Sequence, residues 1–75
     1  MEKLLSILNS VKKGVDFEHE EELVDKGLLN SIDIISIIAE IEDKYGVVIP
    51  SDEIIPENFN SAEALYELIC KLQEE

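Results

Sequence analysis

The sequence holds a single cysteine, Cys70. No disulfide can form within the chain, which fits a reducing compartment and sets the expectation of a cytoplasmic protein. Histidine is as scarce: His19 stands alone in the acidic stretch "DFEHEEEL" and reads as a solvated side chain. No cluster of cysteine and histidine has metal-ligand spacing. The glycines at 14, 27 and 46 stand apart from one another, so no glycine-rich loop cradles a phosphate. The acids between Asp16 and Asp25 lack the glycine at the sixth position and the glutamate at the twelfth that a calcium loop requires. No run of 18 apolar residues occurs, and "MEKLLSILNSVKK" lacks the basic start, long apolar centre and cleavage site of a signal peptide. Membrane insertion is not expected.

Basic residues are few. Six lysines and arginines face eighteen acids, for a net charge of −12. Nucleic acid would be repelled, because duplex binding needs cations that displace counterions. An anionic membrane surface is disfavoured for the same reason. A basic protein partner would be steered in, at a rate that falls with salt. The same acids also serve a plainer end, keeping a small domain soluble.

What is present is apolar residue at helical spacing. With 45% of its 75 residues hydrophobic, the chain can close one core, as a single domain over residues 1–75. A chain this short buries only about 60% of its unfolded surface, so its stability will be modest. In "EKLLSILNSVKK", Leu4, Ile7, Leu8 and Val11 share one face of a first helix. That helix is expected to end at Gly14, with Lys12 and Lys13 in its last turn. Residues 15–30 show no sustained period and read as a long loop pinned by Phe17, Leu23 and Val24. So long a loop in so small a domain is often functional.

"NSIDIISIIAEIEDKY" reads as a second helix, from a cap at Asn30 or Ser31 to Gly46. Asn30 and Asp33 have the spacing of a capping box. "VVIP" is a short connector, and "SDEIIPENFN" allows a helical turn that Pro56 interrupts. Asn60 and Glu63 have capping-box spacing again, ahead of a last helix with Leu65, Leu68, Ile69 and Leu72 on one face. The expected fold is all-α, a three- to four-helix bundle with a long loop between helices one and two.

Successive residues of the second helix lie 100° apart. Ile34, Ile38, Ile41 and Tyr45 fall within about 60°, with Ile37 close by, and form the expected buried stripe. Asp33, Ser36, Glu40, Asp43 and Lys44 are expected on the opposite, solvated side. Ile32, Ile35 and Ala39 then remain, next to Glu42, outside any stripe the fold needs. They form either a docking surface with acidic neighbours or a second covered side, with Ile32 packed on the preceding loop.

Ser31 begins this helix on the flank of Ile35. A phosphate ester there would suit the positive end of the helix dipole, and so would a simple N-cap. Ser31 is no nucleophile by itself, because no base accompanies it. The chain has no catalytic apparatus and is not expected to be an enzyme. Any chemistry at Ser31 must come from another protein.

The stretch "LVDKGLLNSIDIISIIAEIEDKYGVVIP", residues 23–50, resembles the central segment of the acyl carrier protein family. It has the Asp-x-Gly-Leu loop, the serine followed by Ile and Asp, and the apolar helix with an acidic second half. An aromatic residue and Ile-Pro complete it, and the outer helices extend the likeness over the whole chain. The resemblance implies that Ser31 receives 4′-phosphopantetheine from coenzyme A through a separate magnesium-dependent phosphopantetheinyl transferase. An acyl or aminoacyl cargo is then held as a thioester on the arm. It implies partner docking at Asp33, Ile35, Ala39, Glu42 and Asp43, by a loading ligase and downstream transferases or synthases with basic faces. The implied state is a monomer serving fatty-acid, polyketide, peptide or cell-envelope biosynthesis.

Asn30 stands where the family usually has Asp, and Ser36 where fatty-acid carriers tend to have an acid. The segment "SDEIIPENFNSAEAL" is closer in length to that of D-alanyl carriers, which points to a dedicated carrier of a specialised pathway. The rival reading is an unmodified acidic helical adaptor that binds a partner through the flank of helix two.

Overall fold

Four helices form where the apolar spacing requires them. In a computed structural model, which describes residues 1–74, they are α1 (Glu2–Val11), α2 (Ser31–Tyr45), α3 (Pro56–Phe59) and α4 (Ala62–Gln73). No strand occurs among the described residues, so the fold is the expected all-helical bundle. α1 packs on α2 and α4, and α3 packs on α4. Leu4 and Leu8 of α1, Ile37 and Ile41 of α2, and Leu65 and Ile69 of α4 meet in the core. No helix of the described residues is long and apolar enough to cross a membrane.

The connecting segments supply much of the rest of the core. Phe17, Leu23 and Leu29 are buried from the loop before α2, while Val24 is only half-buried. After α2 the chain runs extended, burying Val47 and Ile49 and exposing Val48 between them. Such alternation follows from the two-residue side-chain period of extended backbone.

Several boundaries differ from those expected. α1 ends at Val11, and Lys12 is already extended, with φ −141° and ψ 112°. Near that end the Ser10 hydroxyl donates to the Ile7 carbonyl and the Asn9 amide to the Leu5 carbonyl. Polar side chains that bond helical carbonyls in this way compete with the helical ladder and weaken its last turn. Pro56 does not interrupt a turn. A 3₁₀ turn at Ser51–Glu53 precedes it, and Pro56 opens α3. Proline is suited to a first helical position, where no N–H is needed.

The cap of α4 is Ser61, whose hydroxyl accepts from the Ala64 amide at 3.0 Å. Asn60, expected as the cap, instead fastens the long loop. Its side-chain oxygen accepts from the amides of Val24 and Asp25, its Nδ2 donates to Asp25, and its carbonyl accepts from the Leu23 amide. Leu23 in turn accepts the amides of Leu28 and Leu29, so the path from Asn60 leads directly to the start of α2.

The buried stripe of α2 is also rotated from its expected position. Ile37 and Ile41 are fully buried, whereas Ile34, Ile38 and Tyr45 are half-buried. Asp33, Ser36 and Glu40 are half-buried rather than solvated, because α1 runs along their side. At the far end of this helix pair the Lys3 ammonium lies 4.6 Å over the Tyr45 ring. Burial, and the neighbouring Tyr66 and Cys70, push the Tyr45 phenol above its usual range.

Candidate functional site at the start of the second helix

The first turn of α2 decides which residue caps and which residue is free. Asn30 is the N-cap: its side-chain oxygen accepts from the Asp33 amide at 2.9 Å. The Asp33 carboxylate accepts the Asn30 amide at 3.1 Å, completing a reciprocal capping box. Ser31 is thus the first helical residue and has no capping duty. It is exposed, and its hydroxyl makes no hydrogen bond among the described residues. The amides of Ser31 and Ile32 also have no partner among those residues. Unpaired N–H groups at a positive helix end favour an anion, so a phosphodiester on this hydroxyl fits its surroundings.

From Ser31 the exposed side of α2 continues without a break. Ser31, Ile32, Ile35, Ala39, Glu42 and Asp43 are all exposed. At 100° per residue they span an arc of about 120° on the side away from Ile37 and Ile41. Ile32 and Ile35 are 74% and 66% exposed, which excludes the alternative in which the preceding loop covers them. Large apolar side chains held this far into water, beside carboxylates, are what a contact surface would require. Ile32 belongs to this arc, although the resemblance did not single it out.

Asp33 stands apart from the other expected docking residues. Its side chain is only 15% exposed and is engaged by the cap and by the Lys12 ammonium at 3.3 Å. It borders a groove of about 410 Å³ between α1 and α2 that Ser10, Val11, Ser36, Ala39 and Glu40 also line. Lys12 had no signal in the sequence as a member of this group, because 21 residues separate it from Asp33. No group of His, Cys, Asp and Glu able to hold a metal ion occurs among the described residues. In the acidic loop the Lys26 ammonium, 3.2 Å from Glu20, holds that carboxyl below the ordinary range.

A bundle of this order, with a free serine opening its central helix, is the architecture of a carrier domain. Comparison with known proteins agrees. The sequence model of the phosphopantetheine attachment site family matches residues 2–69. Aminoacyl carrier protein 2 of Bradyrhizobium diazoefficiens is 32% identical over 71 residues, covering 89% of this chain and 79% of that protein. Aminoacyl carrier protein 1 of the same organism is 35% identical over 63 residues, covering 84% and 69%. The D-alanyl carrier protein of Streptococcus suis is 26% identical over 72 residues, covering 95% and 91%. No solved structure matches the chain significantly. The chain belongs to the acyl carrier protein family. It is a carrier protein with a covalent 4′-phosphopantetheine group, and it works with a phosphopantetheinyl transferase and with loading and biosynthetic enzymes.

Proposed function

We propose that residues 1–75 act as one carrier domain whose arm is attached at Ser31, with an aminoacyl group as the favoured cargo. The observation that carries this reading is the division of labour at the helix start. Asn30 caps, which leaves the Ser31 hydroxyl exposed and uncommitted. The names of the relatives, two aminoacyl carriers and a D-alanyl carrier, support the choice of cargo class. The arm supplies a terminal thiol on which the cargo is held as a thioester. The chain's own residues hold the attachment point, present the docking arc and add no catalysis. The protein is therefore not itself an enzyme.

The test is intact mass after incubation with coenzyme A, magnesium and a broad-specificity transferase. A gain of one phosphopantetheine, located by fragmentation on the peptide containing Ser31, is expected. No gain with several transferases, or a gain located elsewhere, overturns the reading and favours the adaptor.

Docking is assigned to Ile32, Ile35, Ala39, Glu42 and Asp43, with Asp33 contributing through the cap. Exposed ion pairs are individually worth only about 0–1 kcal/mol, so contact with partners should be weak and fast. Glu42 and Asp43 are exposed, and their reversal to lysine should leave the fold intact. The E42K/D43K double variant is expected to lower kcat/KM for labelling roughly tenfold at low salt, with the gap closing as salt rises. Equal rates at low ionic strength would refute the assignment.

A further inference from the structure

The cap that frees Ser31 has a member from outside α2. One oxygen of Asp33, Oδ2, accepts from two donors, the Asn30 amide at 3.1 Å and the Lys12 ammonium at 3.3 Å. Lys12 is the first residue beyond α1, so this contact joins the end of one helix to the start of the next. The Asp33 side chain is 15% exposed and that of Lys12 39%, so the pair lies closer to the helix interface than to open water. Lys13, the adjacent residue, is exposed and makes no ion pair among the described residues.

We propose that Lys12 is a positioning residue for transfer of phosphopantetheine to Ser31. Its ammonium holds the Asp33 carboxylate in place, and that carboxylate holds the Asn30 amide. The closed box then keeps Ser31 at the first helical position with its hydroxyl outward. The inference rests on the reading of Ser31 as the attachment point. Without Lys12 the carboxylate still reaches the Asn30 amide but is free to turn toward water. The box then opens for part of the time. A transferase that engages only the closed form sees an affinity reduced by the fraction closed, while the step after binding is unchanged. The effect therefore falls on KM and not on kcat.

The experiment uses the full chain with coenzyme A, magnesium and a broad-specificity transferase at low salt. Initial labelling rates over a range of carrier concentration are combined with native-state amide exchange. Lys12→Met keeps the aliphatic stem and removes the charge. It is expected to raise KM roughly twofold, because a partly exposed ion pair shifts the closed-to-open ratio at most about fivefold and the closed fraction by less, with kcat unchanged. Exchange at Asn30 should quicken while the amides of Ile37 and Ile41 keep their protection. Lys12→Arg should restore both readouts, and Lys13→Met should change neither. A Lys12→Met variant that matches wild type in KM, one that loses only kcat, or a Lys13→Met variant with the same effect each overturns the proposal. A wild-type chain that no transferase labels overturns the Ser31 reading first and this role with it. Normal labelling of wild type and Lys12→Met alike removes only the role of Lys12.

Discussion

Replacement of Ser31 by alanine is expected to abolish phosphopantetheine attachment and to leave folding stability within about 0.5 kcal/mol of wild type. The first half rests on the proposal that Ser31 carries the arm, and the second follows from the geometry of one helical turn. If Ser31 were the cap, its loss would cost about 1 kcal/mol, because a first-turn amide would lose its acceptor. The cap is Asn30, and the Asp33 amide keeps its partner when Ser31 changes. Alanine is also a good helix former at an exposed position. Asn30→Ala should behave in the opposite way. It should lose about 1 kcal/mol of stability and still accept the arm, because the hydroxyl remains. Intact mass and urea unfolding of the two variants read these outcomes side by side. Labelling that survives Ser31→Ala, or a loss of stability in it as large as in Asn30→Ala, would count against the assignment of roles.

The second large effect is expected at Asn60. Asn60→Ala should cost about 2 kcal/mol, since the half-buried Val24 amide would lose its acceptor and find little water in its place. The Asp25 amide is exposed and can turn to solvent, which keeps the cost from doubling. For a domain of this size such a loss lowers Tm by roughly 10 °C. It should also speed proteolysis between residues 15 and 30, because Asn60 joins that loop to the junction of α3 and α4. Asn60→Asp should be milder, since it keeps the accepting oxygen, though it sets a second charge beside Asp25. Thermal unfolding and limited digestion measure both. A Tm within a degree or two of wild type in Asn60→Ala would mean that the loop is held by its buried Phe17, Leu23 and Leu29 alone.

The two variants share a physical theme. Ser31 is available because other residues do the structural work around it: Asn30 and Asp33 at the cap, and Asn60 through the loop that leads there. Ile32 and Ile35 are available because Ile37 and Ile41 fill the core on the other side of α2. A serine that had to cap, or isoleucines that had to pack, could not also be offered to a partner.

How much of this was legible in the sequence depends on the range of each interaction. The Asn30–Asp33 box spans three residues, and its spacing was visible, as was the apolar excess of Ile32, Ile35 and Ala39 on one flank. The choice between Asn30 and Ser31 as cap was not visible, since both residue types serve and the two positions differ by one. Asn60, next to Ser61, poses the same choice. Its spacing to Glu63 suggested a local cap, yet its partners lie about 35 residues earlier in the chain.

The sequence by itself determined the three main helices, the apolar faces of the first and last of them, the acidic surface and the serine at the head of the second helix. These follow from contacts within three or four residues along the chain, where spacing and chemistry are read directly. Only the tertiary structure decided that α1 covers the Asp33, Ser36 and Glu40 side, that Lys12 reaches Asp33, and that Asn60 secures the loop before Ser31. Those pairings depend on how helices and loops pack on one core, and no local period records which distant donor a buried acceptor will meet.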